Sequence, residues 1–285
     1  MRVKYLVVSL TLVAMFLSFT MEAKSHYPIN VASYNLRMDT PNDGLDAWPN
    51  RKDMVNELIR YHNFDIIGTQ EGFKHQLEDI VSQGDYSYIG VGRDDGADKG
   101  EHSAIIYKKD RLEVLESGNF WFSETPDKPG KGWDAKCCNR ICSWAKFKDL
   151  ESGKEFFFFN VHYDHEGVKA RRESSLLLLK KIKEVEALSL PVILTGDFNA
   201  DPESEPIKIL RDSEIVHDSY SLTEKKPYGP VGTYNGFDIK NDTSGRIDYV
   251  WVTEGVKVLK YGVLTDNRNG RLPSDHYPVY VRLVL

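Results

Sequence analysis

Basic residues are too few in this chain to coat a nucleic acid backbone. Against 43 Asp and Glu stand 37 Lys and Arg, a formal charge of −6 with a pI near 5.8. Tight, sequence-independent binding of long nucleic acid draws on many Lys and Arg contacts to phosphate, so that function is not expected. A small phosphate-bearing substrate stays open, because a bound metal ion supplies positive charge locally. Cysteine is scarce too: Cys137, Cys138 and Cys142 lie within six residues. That excludes a small scaffold stapled by several disulfides, and three thiols with no nearby histidine match structural zinc spacing poorly. In an exported chain the expectation is one short disulfide joining Cys142 to either Cys137 or Cys138. Low-complexity linkers and internal repeats are also missing, so nothing divides the chain into separate units.

What is present suffices for a sizeable core, with 41% apolar and 12% aromatic residues in a chain of 285. The simplest reading is one globular domain over residues 27–285. Ahead of it, Arg2 and Lys4 precede an apolar stretch from Tyr5 to Phe19 that ends near Thr20-Met21-Glu22-Ala23. This is the layout of a secretory signal peptide, residues 1–23, with an h-region short for a bilayer span. Ala23 suits cleavage but Met21 is a poor small-residue partner, which leaves an uncleaved anchor as the alternative. Export to the periplasm, the cell surface or the medium is expected. No cysteine follows the h-region, so nothing indicates lipid attachment.

Residues 191–201, Pro-Val-Ile-Leu-Thr-Gly-Asp-Phe-Asn-Ala-Asp, read as a buried strand that turns at Gly196 and then presents Asp197 and Asn199. Two polar side chains so placed either point into one cleft beyond the strand end or merely close an Asx turn. The pattern recurs. Residues 29–34 lead to Asn35, 65–70 to Glu71, and 156–161 to His162; 246–252 embeds Asp248, and Asp275-His276 precedes a last strand. Further strands are predicted over 86–91, 104–107, 112–122 and 141–147. Helices are predicted from Pro49, with Met54, Val55, Leu58 and Ile59 inside, and over 75–81 and 205–211. A longer one over 168–187 is predicted to bury Leu176, Leu177, Leu179, Ile182 and Val185. Strand blocks separated by helices predict an α/β fold of two packed sheets with helices outside. One polar strand end is commonly just solvated, but many gathered at one sheet edge would line a single cleft.

Six segments then carry a resemblance. Asn35-Leu36-Arg37, Gln70-Glu71, Asn160-Val161-His162, Gly196-Asp197-Phe198-Asn199-Ala200, Arg246-Ile247-Asp248-Tyr249 and Ser274-Asp275-His276-Tyr277-Pro278-Val279 follow one another in order. Together they resemble the ordered motifs of the endonuclease/exonuclease/phosphatase superfamily. The resemblance implies a four-layered α/β sandwich of the DNase I-like type, two mixed β-sheets flanked by helices. It also implies phosphoester hydrolysis by water attack on phosphorus with a divalent cation, Mg2+ or in its place Mn2+. Carried over by position, Glu71 is the principal metal ligand, with Asn35 and Asp275 beside it; few, hard oxygen ligands suit magnesium. Asp197 orients or deprotonates the water, and Asn199 holds it or a phosphate oxygen. His276 touches the scissile phosphate, its cationic form favoured by Asp248. His162 is the second histidine, paired with Glu101. The metal and two imidazoliums then balance charge on the phosphoryl oxygens.

Some positions depart from the better-known members. Arg37 stands where abasic-site endonucleases carry aspartate, and Gly72-Phe73 after Glu71 offers no arginine to a minor groove. The extension Tyr163-Asp164-His165-Glu166 resembles exported bacterial members of unassigned substrate. Arg37, Arg171, Tyr234 and Phe237 are the expected substrate-binding residues. Arg93 and Arg140 are further candidate phosphate clamps, and Trp121 and Trp133 either stack on substrate or pack in the core. The first expectation is a phosphodiesterase or nuclease, probing short or single-stranded nucleic acid or nucleotides as a monomer. The alternative is a phosphatase or lipid phosphodiesterase for phosphosugar, inositol phosphate or sphingomyelin-like head groups. A catalytically silent binding module on the same scaffold is the remaining class.

Overall fold

Apolar runs rich in β-branched and aromatic residues form the strands of the computed structural model, which describes residues 27–186, 189–241 and 245–285. The expected signal peptide lies outside the described residues. In chain order the first six strands are β1 (Ile29–Asn35), β2 (Ile66–Gln70), β3 (Tyr86–Ile89), β4 (Ile105–Lys108), β5 (Leu112–Trp121) and β6 (Ile141–Asp149). The others are β7 (Glu155–His162), β8 (Val192–Asp197), β9 (His217–Asp218), β10 (Asp248–Val252), β11 (Lys257–Val263) and β12 (Val279–Val284). The helices are α1 (Trp48–Tyr61), α2 (Lys74–Val81), α3 (Val168–Glu186), α4 (Glu205–Arg211) and α5 (Ser219–Leu222). None of these is long and apolar enough to cross a membrane.

The strands pair into two six-stranded sheets, ordered β11-β12-β1-β2-β4-β3 and β5-β6-β7-β8-β10-β9. Each is mixed through one parallel pair, β1 with β2 and β7 with β8. Between the sheets lie Val31, Ile66, Phe147, Phe156, Phe158 and Val281, all fully buried. On the outer face of the first sheet, Val55, Leu58 and Ile59 of α1 and Leu77 of α2 share a core with Tyr34 and Ile67. Leu178, Leu179 and Ile182 of α3 and Leu210 of α4 do the same with Phe157 and Leu194 on the second. Each such side chain contributes roughly 1.5–3 kcal/mol on burial, so layer packing rather than helix propensity sets the architecture. The four-layered sandwich is the one expected.

One polar knot ties the layers together. Asn160 of β7 donates from Nδ2 to Thr69 O at 2.7 Å and Ala104 O at 3.0 Å. Its Oδ1 accepts from Gln70 Nε2 at 2.7 Å and Thr195 Oγ1 at 3.0 Å. Glycine at position 68 makes the room: a Cβ there would lie 2.0 Å from Thr195 Oγ1.

Three expectations are corrected. Cys142 is a buried free thiol on β6, while the disulfide joins Cys137 to Cys138. Strand alternation turns Cys142 into the core beneath α3, away from the loop that carries the other two. In α3, Leu179 and Ile182 are buried and Leu177 and Val185 pack against the core as expected, but Leu178 takes the inward place expected of Leu176, which is 40% exposed, because four consecutive leucines blur the helical period. Finally, the helix expected from Pro49 begins at Trp48, and Pro41–Asp46 just ahead of it forms a 3-10 helix.

Candidate active site

Strand register assembles the site. His162, Asp197 and Asp248 are lateral neighbours at the ends of β7, β8 and β10. Across the sandwich, Asn35 closes β1 and Glu71 follows β2. Asn35 Nδ2 joins the two sheets, donating to Glu71 Oε1 and to Asp197 Oδ2, each at 3.0 Å. The loop between β11 and β12 adds Asp275 and His276. The resulting cleft, about 660 Å³, is lined among others by Glu71, Glu101, Asp197, Asn199, Asp275 and His276.

Local backbone conformation aims several of these groups. Arg37, Glu71 and Asn199 have φ of 56°, 65° and 47°, in the left-handed region that costs a non-glycine residue about 1–3 kcal/mol. Hydrogen bonds hold them there. Met38 N donates to Glu71 Oε2 at 3.1 Å, and Asn199 N donates to Asp197 Oδ1 at 2.9 Å. The Asx turn and the cleft readings of this segment are therefore both realised. Arg51, fully buried on α1, donates to the carbonyls of Leu36, Arg37, Asp46 and Pro273, pinning the segments that carry Arg37 and Asp275. Sequence reasoning passed over it, although an arginine at helical spacing from Val55 and Leu58 was the available signal.

Burial and neighbouring charge set the protonation states. For His276, burial alone would lower the pKa, but Asp248 Oδ2 at 2.9 Å from Nδ1 and the nearby Asp197 raise it well above the ordinary value. Its Nε2 lies 3.8 Å from Asp197 Oδ2. Burial and then the Asp248 charge push the Asp197 carboxyl up to about 7, with His276 opposing. Burial likewise raises Glu101 to about 7 against the pull of Arg93, 2.6 Å away.

His162 behaves oppositely. Burial, then Arg140 and Arg93, hold its pKa well below the ordinary value. Arg140 Nη1 donates to His162 Nε2 at 3.1 Å, which leaves the ring hydrogen on Nδ1, 3.8 Å from Glu101 Oε2. The expected second imidazolium is thus a neutral imidazole, and Arg140 carries the charge in its place. His165 Nδ1 accepts from the other Nη of Arg140 at 2.7 Å, a contact the sequence did not announce.

The Glu71 and Asp275 carboxylates suit a hard divalent cation. Burial opposes ionisation of Glu71, but His276, Asn35, Met38 N–H and Arg37 lower its pKa. Asp275 is only 6% exposed; its carboxylate accepts one long hydrogen bond among the described residues, 3.4 Å from Ser274 Oγ, and its one arginine contact is Arg37 Nε at 3.9 Å from Oδ2, so burial and the Glu71 charge still raise its pKa. A buried carboxylate with so little compensation beside a second one is a favourable cation environment. Asn35, expected beside the metal, turns its Nδ2 to the Glu71 and Asp197 carboxylates, and its Oδ1 accepts from Arg37 N at 2.9 Å. Placed so, it links Glu71 to Asp197 beside the carboxylate corner.

Of the expected substrate-binding residues, Arg37 and Tyr234 line the cleft. Arg37 is tied to Asp43 through Nε and Nη2, both at 2.9 Å, and the Tyr234 ring meets His276 edge-on at 5.1 Å. Arg171 and Phe237 do not reach it. Arg171 Nη1 donates to Asp164 O, and Phe237 packs on the inter-sheet core with the Arg51 guanidinium 5.6 Å over its ring. Trp121 is buried and donates to Arg93 O, the core role.

This arrangement has close parallels. A mannosyl-6-phosphatase from Bacteroides thetaiotaomicron is 47% identical, with 90% of this chain and 100% of that one covered and a TM-score of 0.86. A second B. thetaiotaomicron structure, described as an endonuclease/exonuclease/phosphatase family protein, is also 47% identical, covers 91% of this chain and 98% of its own, and has a TM-score of 0.87. Nocturnin from Rattus norvegicus is 24% identical over 90% of this chain, which spans 64% of nocturnin's length. The model of the Endonuclease/Exonuclease/phosphatase family matches residues 32–276, from β1 through the His276 imidazole. The chain therefore belongs to that family of phosphoester hydrolases.

Proposed function

We propose that this protein is a divalent-metal-dependent phosphatase acting on a phosphosugar, and that an N-terminal signal exports it. The observation that carries the reading is one cleft in which Asp197 Oδ2 lies 3.8 Å from the His276 ring that Asp248 holds at 2.9 Å, with the Glu71 and Asp275 carboxylates lining the same cleft, in a chain of net charge −6. About 660 Å³ is within the size range of small-ligand sites, and the negative net charge disfavours long polyanions. The 47% identity to a mannosyl-6-phosphatase supports the phosphosugar alternative over the nucleic acid expectation.

In this reading Asp197 accepts a proton from the attacking water, its pKa near 7 being matched to that task. Asn199, fixed by its Nδ2 bond to Tyr163 O at 3.0 Å, positions the water beside it. The His276 imidazolium, held by Asp248, donates to a phosphoryl oxygen. Glu71 and Asp275 would hold Mg2+ or Mn2+, which supplies Lewis-acid neutralisation of the phosphoryl group when bound. An activity panel with Mg2+ tests the substrate class. Free phosphate from hexose phosphates is the expected product; cleavage of oligonucleotides with no phosphate released from any monoester would sink the proposal.

A further inference from the structure

Three arginines line the cleft, and they differ in what balances their charge. Arg37 is gripped at two nitrogens by Asp43, and Arg93 meets Glu101 at 2.6 Å. Arg140 has no comparable partner. Its Nη atoms donate to two imidazoles, His162 at 3.1 Å and His165 at 2.7 Å. The one carboxylate it meets among the described residues is Asp164, through Nε at 3.4 Å. That carboxylate also accepts the backbone N–H groups of Glu166 and Gly167.

Neutral imidazole nitrogens satisfy a guanidinium's hydrogen bonds without cancelling its charge. A side chain 6% exposed carrying a weakly compensated cation is costly unless an anion is to arrive. The guanidinium also retains a spare N–H on each Nη. The His165 side chain is 46% exposed, so that side of Arg140 opens to solvent. The position is apt: His162 Nε2 is in contact with Arg140 Nη1 at 3.1 Å and lies 3.6 Å from Asp197 Oδ2, so Arg140 and the water-activating carboxyl meet at the same ring nitrogen.

A phosphomonoester dianion has three non-bridging oxygens and a diester has two. A cation held by Glu71 and Asp275 would neutralise part of this charge, and His276 donates to one oxygen. We propose that Arg140 binds the third, and so makes the site favour monoesters over diesters. This rests on the phosphosugar phosphatase reading. A diester places an ester oxygen and its substituent against Arg140 and gains much less from it, because charge-assisted bonds to anionic oxygen are the strong ones.

Arg140→Met and Arg140→Lys in the full chain test this, with Mg2+ and with mannose 6-phosphate and bis-p-nitrophenyl phosphate as substrates. For the monoester, kcat/KM is expected to fall about 100-fold or more; for the diester, no more than about threefold. Inhibition by inorganic phosphate is expected to weaken about tenfold or more. Lysine is expected to restore little, because one ammonium cannot span both imidazoles. Equal losses on both substrates at an unchanged melting temperature would make Arg140 a support for His162 and overturn the proposal; so would an unaffected monoester rate. Should the methionine variant fail to fold, the lysine variant carries the same comparison. Unmutated protein that turns over the diester alone refutes the substrate reading and this role together, which separates the two failures.

Discussion

Asp248 touches no cleft surface, yet it governs both titrations beside it. Its charge raises His276 and also raises Asp197. Replacement by asparagine lowers both pKa values, so the alkaline limb of kcat/KM, where the imidazolium is lost, and the acid limb, where the base is protonated, are each expected to move to lower pH. A pH–rate profile of Asp248→Asn checks this, and an unmoved alkaline limb contradicts it. Asp197→Asn and His276→Ala are expected to lower turnover by about 10²–10⁴-fold with circular dichroism unchanged. Near-normal rates in either would remove that residue from the mechanism. At this scale the sequence was most informative where a polar residue ends an apolar run, as at Asn35, His162 and Asp197, since register then aligns such residues laterally. It was least informative for long side chains: Arg171, Phe237 and Arg51 take directions set by tertiary neighbours that no local pattern encodes.

Central strands were legible because they are apolar on both faces, as in β7, where all four of Phe156-Phe157-Phe158-Phe159 are buried. The edge strand β11 escaped notice. Lys257 and Lys260 are exposed and a bulge between Val258 and Lys260 breaks its alternation. The β6–β7 turn shows how an element end is fastened. Arg111 Nε donates to Asp149 Oδ1 at 2.6 Å and Ser152 Oγ donates to Oδ2 at 2.5 Å. Burial opposes ionisation of Asp149, but these bonds hold its carboxyl below the ordinary value. A depressed carboxylate stabilises the fold fully above its unfolded pKa of about 3.9, and the contribution is lost as pH falls through the folded value. Asp149→Asn should therefore lower the urea midpoint at pH 7 and flatten its decline below about pH 4. An acid decline as steep as that of the parent protein would argue against this linkage.

For the molecule as a whole, a cation held between Glu71 and Asp275 binds the folded chain alone, since those residues are far apart in sequence. Saturating Mg2+ should thus raise the melting temperature of the parent protein, and Glu71→Gln should lose most of that increase; an equal rise in both would place the ion elsewhere. The sheet order has another consequence. β1 lies between β2, its near neighbour in the chain, and β12, which is far from it in sequence. Arg51 at the same time waits for the carbonyl of Pro273. A growing chain can therefore pair β1 on one side only until β12, more than two hundred residues further on, has emerged, and a central strand edge stays open over that interval. The centre that Asp275 and His276 complete closes only once that pairing is made.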